Sequence, residues 1–255
     1  MNILFISLGC DKNLVDSEVM LGLLAEKGYQ IVDDETQADI IVINTCCFIH
    51  DAKEESIQTI LDMGQYKTEG RLKALIVTGC LAQRYKQEIV DEIPEVDAVL
   101  GTTAYDKIVD TIEETLKEHG HIVELTDVDA LPLVDTKRMV TTGGHYAYLK
   151  IAEGCDKHCT YCIIPKIRGN YRSVPMERLV KEATELAEQG VKELILVAQE
   201  TTLYGKDIYG EKSLHKLLKE LCKIDGIMWI RILYCYPEEI YDELIQVMKE
   251  EPKIC

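Results

Sequence analysis

No stretch of this 255-residue chain is apolar for long enough to cross a membrane. Its longest apolar runs, ILFISL and ADIIVIN, have strand length, against the roughly 20 residues a bilayer-spanning helix needs. The opening MNILFISLGC also lacks the basic head and small-residue cleavage site of a secretory signal. Both absences point to a soluble, cytoplasmic protein with no membrane partner. Basic charge is scarce as well: 28 Lys and Arg stand against 45 Asp and Glu, for a net charge of −17. The imbalance is concentrated in residues 1–140, with 27 acidic and 12 basic side chains, whereas 141–255 hold 18 and 16. A nucleic-acid grip needs the opposite sign, so a basic protein partner suits this half better. A solvated acidic surface that aids solubility accounts for the charge equally well.

What is present is enough apolar material, 47% of the residues, to bury one or two cores. Strand-like and helical patterns alternate through the first part. NILFISL, ADIIVINTC, KALIVTGC and AVLGT read as strands. Helical patterns follow them at 14–28, 51–67, 82–93 and 105–120. Such alternation predicts a parallel sheet with crossover helices. Residues 119–140 read as a connecting segment with one or two extended pieces, which leaves 1–118 as a first domain. From 141 to 255 the pattern restarts with about three βα repeats: strands YAYLKIAEGC, VKELILVAQET and MWIRILY, and helices at 173–190, 213–224 and 237–250. The first of these helices is expected to be capped by Ser173, with Pro175 near its start. The fold class is therefore α/β.

Ten cysteines are present, at 10, 46, 47, 80, 155, 159, 162, 222, 235 and 255. In a reducing compartment they favour metal ligation or inert packing over disulfides. Cys155, Cys159 and Cys162 follow C-x3-C-x2-C in EGCDKHCTYC, just past a strand. Cys10, Cys46 and Cys80 each stand just past the carboxyl end of a strand, after FISLG, IVINT and IVTG. Open parallel sheets form ligand sites at that edge. Each set has three members, where a structural zinc site uses four ligands and disulfides use pairs. A four-iron cluster held by three thiolates keeps one iron open for an outside ligand. A zinc knuckle with His158 as fourth ligand is the competing reading of the second set. His158 sits between two of the cysteines on a tight loop, which opposes a closed tetrahedron. Cys47 adjoins a ligand position and could swap with it, although packing accounts for it more simply. Cys222 and Cys235 read as core or surface, Cys255 is terminal with no role, and Trp229 and the tyrosines near it read as core. His50, His119, His121, His145 and His215 show no ligand spacing.

The C-x3-C-x2-C loop after a strand, with Tyr161 before its last cysteine, resembles the radical S-adenosylmethionine (SAM) enzymes. Joined to the three-cysteine α/β domain, and with SLGCDKNLVDSE, INTCCFI, VTGCLAQRY and AQETTLYGKDIYG, the chain resembles the radical SAM methylthiotransferase family, in its ribosomal-protein branch. The resemblance covers essentially the whole chain. It implies a methylthiotransferase domain followed by the first part of a (βα) partial barrel. It implies two [4Fe-4S] clusters, an auxiliary one on Cys10, Cys46 and Cys80 and a SAM-binding one on Cys155, Cys159 and Cys162. By the same resemblance Tyr161, Gln199, Glu200, Arg168 and Arg172 are candidate SAM contacts, Arg172 and Arg168 toward its carboxylate or the substrate. The implied reaction places a methylthio group on the β-carbon of an aspartate in a small-subunit ribosomal protein. Electrons would come from a low-potential donor of the flavodoxin or ferredoxin type. A tRNA methylthiotransferase acting on a modified adenosine shares the chemistry, and a non-catalytic iron–sulfur scaffold or electron carrier is a reading from another class. The chain departs from the family pattern at EEPKIC, where the rest of the barrel and a small β-barrel domain of the TRAM type would follow.

Overall fold

A computed structural model describes residues 1–117, 120–132 and 134–255. It divides into two compact units, residues 1–139 with 166–168, and residues 140–165 with 169–255. The expected boundary at 118/119 and His119 itself lie outside the described residues.

The first unit is a six-stranded, all-parallel sheet with helices between the strands. Its strands are β1 (Asn2–Ser7), β2 (Gln30–Val32), β3 (Ile40–Thr45), β4 (Ala74–Gly79), β5 (Ala98–Leu100) and β6 (Ile122–Glu124), in the order β2-β1-β3-β4-β5-β6. The helices are α1 (Asp11–Glu26), α2 (His50–Gly64), α3 (Tyr66–Glu69), α4 (Cys80–Tyr85), α5 (Gln87–Glu92) and α6 (Ile108–Lys117). β3 and β4 are buried along their full length, which is why IIVINT and ALIVTG read as unbroken apolar runs rather than alternating ones. Ile40, Val42 and Ile76 pack against Met20 and Leu24 of α1 and Ile112 of α6.

One strand goes beyond the sequence reading, and one expected extended piece proves to be a strand of the sheet. β2 is only three residues long, and β6 lies within the stretch expected to connect two domains; its pairing with β5 draws that stretch into the first unit. The single helix expected at 82–93 is two short ones, broken at Lys86, whose backbone adopts φ +47°.

The second unit centres on a three-stranded parallel sheet ordered β11-β10-β7, from β7 (Tyr146–Lys150), β10 (Glu193–Val197) and β11 (Trp229–Ile232). An antiparallel pair of two-residue strands, β8 (Ala152–Glu153) and β9 (Arg172–Ser173), flanks the cysteine loop. The helices are α7 (Ile164–Arg168), α8 (Met176–Glu188), α9 (Lys206–Tyr209), α10 (Leu214–Cys222) and α11 (Asp242–Glu250); the last three residues of α7 count with the first unit. Leu179 and Leu186 of α8 and Leu217 and Leu221 of α10 close over Leu194 and Leu196.

Two expectations fail in this unit. Ser173 does not cap α8: Pro175 holds the cap position, and the Ser173 hydroxyl donates to Asp207 Oδ1 at 2.6 Å and accepts from the Gly205 amide at 2.9 Å. The hydroxyl is spent on a turn closed by tertiary contact, which local sequence does not display. Trp229 is not core, being 51% exposed, and Tyr234 and Tyr236 are exposed with it. Successive side chains of a strand alternate faces, and on β11 it is Ile230 that turns inward.

Among the described residues, no helix is long and apolar enough to cross a membrane.

Asp39, nearly inaccessible, ties β3 to the chain start. Its carboxylate accepts from the Asn2 amide at 2.9 Å and pairs with Arg71 at 2.8 Å and Lys73 at 3.2 Å. The Asn2 amide first, then the two cations, hold its pKa well below the usual carboxylate range. A depressed folded-state pKa stabilises the fold above about pH 4, and that contribution disappears as acid titrates the carboxylate. Asp39→Asn is expected to cost about 1–3 kcal/mol at pH 7 in urea unfolding. The gap to the parent should narrow below about pH 4, and an unchanged gap at low pH would refute the assignment.

Candidate metal centres

Because β1, β3 and β4 are neighbours and parallel, their carboxyl ends lie side by side. Cys10 caps the start of α1 just past β1, Cys46 follows the last residue of β3, and Cys80 opens α4 directly after β4. Cys46 and Cys80 are buried, whereas Cys10 is exposed. Two glycines permit the close approach. At Gly9 (φ +92°) a Cβ would stand 2.7 Å from the Cβ of Cys46. At Gly79 (φ +91°) it would stand 2.2 Å from Asn44 Oδ1 and 2.6 Å from the Thr45 carbonyl.

Asn13 ties the edge together, its Nδ2 donating to the carbonyls of Leu8 (3.1 Å) and Thr45 (2.9 Å). Ser56 on α2 clasps the main chain of Cys46, accepting from its amide at 3.0 Å and donating to its carbonyl at 2.9 Å. Cys47 is buried with its thiol donating to the Cys80 carbonyl at 3.2 Å.

Burial pushes the thiols of Cys46 and Cys47 up, and that of Cys80 up to about 12. Cys46 and Cys10 add to the rise on Cys80, as neighbouring like charges would, and the Arg168 guanidinium opposes it.

The second set lies on the loop between β8 and α7. Its turn is held by Cys162 N–H to the Cys159 carbonyl (2.9 Å), Cys155 N–H to the Gly169 carbonyl (3.1 Å) and Tyr171 N–H to Asp156 Oδ1 (2.8 Å). His158 takes a left-handed conformation, φ +45°, at the tip. Cys159 is exposed and Cys155 and Cys162 are partly so. Burial raises the Cys155 thiol, and Cys162 and Cys159 add to the rise.

Among the described residues no three His, Cys, Asp or Glu side chains stand as a ready metal-holding group. Each cysteine set is thus gathered but not closed, and His158 completes no such group either. The donor sets nonetheless fit soft, thiolate-preferring iron sites, each with like charges brought together at one sheet edge or on one loop.

The candidate contacts around the second set fall in different places. Tyr161 is 88% exposed. Gln199 Nε2 donates to Glu153 Oε1 at 2.8 Å, while its Oε1 is enclosed and has no hydrogen-bond partner. An enclosed acceptor of this kind is open to an ammonium or hydroxyl donor. Glu200 is buried and already engaged. It accepts from Thr202 through amide (3.2 Å) and hydroxyl and from the Tyr236 amide (3.4 Å), and it lies 3.6 Å from Lys157 Nζ. Arg172 donates to the Asn170 carbonyl. Arg168 lies in the first unit, 2% exposed, with Asp16 and Asn13 on its guanidinium.

Sequence reading missed Lys157, inside the cysteine loop itself. Its ammonium bridges Glu239 (3.2 Å) and Glu200 and sits 3.9 Å from the centre of the Tyr236 ring, while Lys212 holds Glu239 from the other side at 2.9 Å. It also missed Glu153, which links Lys150 (2.9 Å) to Gln199. A charged residue between two motif cysteines was the one available signal.

Known proteins share both cysteine-bearing regions. Residues 2–101 match the family model described as "Uncharacterized protein family UPF0004", and residues 149–254 match "Radical SAM superfamily". The chain is 70% identical, over its whole length, to the ribosomal protein uS12 methylthiotransferase RimO of Lachnoclostridium phytofermentans. Along its whole length the chain is similar to RimO-type radical SAM methylthiotransferases. Over 98% of the chain it is 55% identical to the RimO of Clostridioides difficile, and over 99% it is 53% identical to that of a Thermoanaerobacter species. It spans 58%, 56% and 58% of the lengths of these three relatives. In fold it is similar to the radical SAM methyltransferase TsrM of Kitasatospora setae, with TM-score 0.64, 13% identity, and 99% of this chain and 58% of that one covered. The cobalamin-dependent radical enzyme OxsB is similar at TM-score 0.57, 13% identity and 97% and 41% coverage. These likenesses show a shared α/β fold.

The Gly79 geometry yields a test of how the first edge is built. Gly28 has a similar backbone, φ +89°, but open space around its missing Cβ. Gly28→Ala should cost only the strained backbone, about 1 kcal/mol. Gly79→Ala adds a collision with Asn44 and Thr45 and should cost clearly more, together with altered accessibility of Cys80 to a thiol reagent. Equal costs for the two would show that the close approach is not needed.

Proposed function

We propose that this chain carries the catalytic core of a radical SAM methylthiotransferase acting on an aspartate β-carbon of a small-subunit ribosomal protein. One observation carries the reading. The chain has two separate sets of three cysteines, each at a parallel-strand edge or on the loop beyond one, and neither with a fourth ligand among the described residues. Three thiolates leave one coordination place of a four-iron cluster open. When bound, the clusters and SAM would supply the one-electron chemistry needed to break an unactivated C–H bond, which no acid–base pair could deprotonate.

The residues divide the labour. Cys155, Cys159 and Cys162 would hold the SAM-binding cluster, and Cys10, Cys46 and Cys80 the auxiliary one. Gln199, through its unpartnered Oε1, would accept from the ammonium of SAM, with Glu153 orienting its amide. Glu200 stands behind it, with Lys157 supplying its positive charge until a ligand ammonium arrives. Tyr161, exposed, would stack on adenine, and Arg172 would turn its guanidinium to a carboxylate. The ribosomal-protein substrate is supported by the names of the relatives and by the acidic first unit, which suits a basic protein better than tRNA. A substrate of that kind places the work in the cytoplasm, with a low-potential flavodoxin- or ferredoxin-type protein as electron source.

Anaerobic reconstitution of this chain should yield about twice the iron of a variant lacking either cysteine set. After reduction by dithionite, the parent and the Cys10/Cys46/Cys80→Ala variant should both cleave SAM to 5′-deoxyadenosine. The Cys155/Cys159/Cys162→Ala variant should not. A protein of the relatives' full length should add the mass of a methylthio group to the ribosomal protein. Addition to tRNA alone would overturn the substrate assignment, and clusters without SAM cleavage would favour a scaffold.

A further inference from the structure

Arg168 follows Cys162 by six residues, yet its side chain is spent in the first unit. At 2% exposure it is among the largest fully buried side chains. Nη1 donates to Asp16 Oδ2 at 2.8 Å, and Nη2 donates to Asn13 Oδ1. Both acceptors lie on α1, within six residues of Cys10. The same Asn13 Oδ1 is 3.7 Å from Cys80 Sγ, and the Asn13 amide group braces the turns after β1 and β3. The guanidinium is therefore one side chain removed from Cys80, with Asn13 Oδ1 between them.

A buried Arg–Asp pair is a weak stabiliser, because desolvation offsets most of its attraction and apolar replacements often do as well. Stability alone does not account for it. Its setting one side chain from Cys80, beside the edge where Cys10 and Cys46 also stand, does. A cluster on three thiolates concentrates negative charge in a largely buried place, and such charge needs a fixed cation. Arginine suits the role, since it stays protonated at any working pH and its planar fork is locked by two acceptors.

We propose that Arg168 is the counter-ion of the first cysteine set, raising the reduction potential of the cluster that Cys10, Cys46 and Cys80 would hold, and is not a SAM contact of the second set. This rests on the cluster reading above. Reduction adds an electron, so a nearby positive charge favours the reduced form; cluster potentials follow net charge and hydrogen bonding around the sulfurs. Asp16 acts in the opposite sense.

The test uses the full chain with Cys155, Cys159 and Cys162 replaced by Ala, so that only the first set can hold iron. After anaerobic reconstitution, iron content and the midpoint potential from an EPR-monitored titration are compared across variants. Arg168→Met should bind iron with its potential shifted to more negative values, and Arg168→Lys, which keeps the charge, should restore most of the shift. Asp16→Asn should move the potential the other way, and it measures the effect of local charge even where Arg168→Met does not fold. A purely structural arginine would give iron loss with no rescue by lysine and no opposite shift from Asp16→Asn. Clusters whose potentials are unmoved in all variants would overturn the proposal alone. A parent protein that assembles no cluster on the first set would overturn the cluster reading and this proposal with it.

Discussion

The alignment of parallel strands is the constraint on which the first centre depends. In a parallel sheet every strand delivers its carboxyl end to one edge, so residues just past β1, β3 and β4 meet there although 36 and 34 positions separate them in sequence. The buried strands β3 and β4 are held in register by packing of Ile40, Val42 and Ile76 against α1 and α6 and by hydrogen bonds from Asn44 to the Asn13 carbonyl and from Thr45 to the Thr78 carbonyl. Register thus becomes position, and position brings Cys10, Cys46 and Cys80 together. Gly9 and Gly79 complete the approach by leaving out side chains that would collide with Cys46, Asn44 and Thr45.

Polar residues then convert proximity into order. Asn13 reaches two turns and Ser56 clasps one main chain, so the first edge is braced by uncharged hydrogen bonds while Arg168 supplies its charge. The second centre is built the other way round. Its loop is exposed and held mainly by main-chain bonds, and its charges form a relay from Lys150 through Glu153 to Gln199, beside a second one from Glu200 through Lys157 to Glu239 and Lys212.

Legibility in the sequence followed the range of the forces involved. The apolar runs and helical periods disclosed the α/β class, the parallel sheets and the three repeats of the second part, because burial of alternate or continuous faces leaves a local pattern. β2 escaped, being three residues long with no apolar run of its own, and β6 reads only as an extended piece of a connector, because its pairing with β5 leaves no local mark. Ser173 reads as a helix cap by local rules, yet its hydroxyl goes to Asp207, more than thirty residues away. Trp229 reads as core by its type, yet its face of β11 is the outward one.

The sequence by itself determined which atoms are available for chemistry: two incomplete cysteine sets, their spacing, and the strand ends on which they stand. Only the tertiary structure decided what surrounds them, since hydrogen bonds and ion pairs form between groups far apart in the chain and carry no local signature. Arg168 is the clearest case. Six residues from Cys162 in sequence, it resembles a neighbour of the second set, but a buried guanidinium goes where acceptors wait for it, and those acceptors, Asp16 and Asn13, stand beside the first.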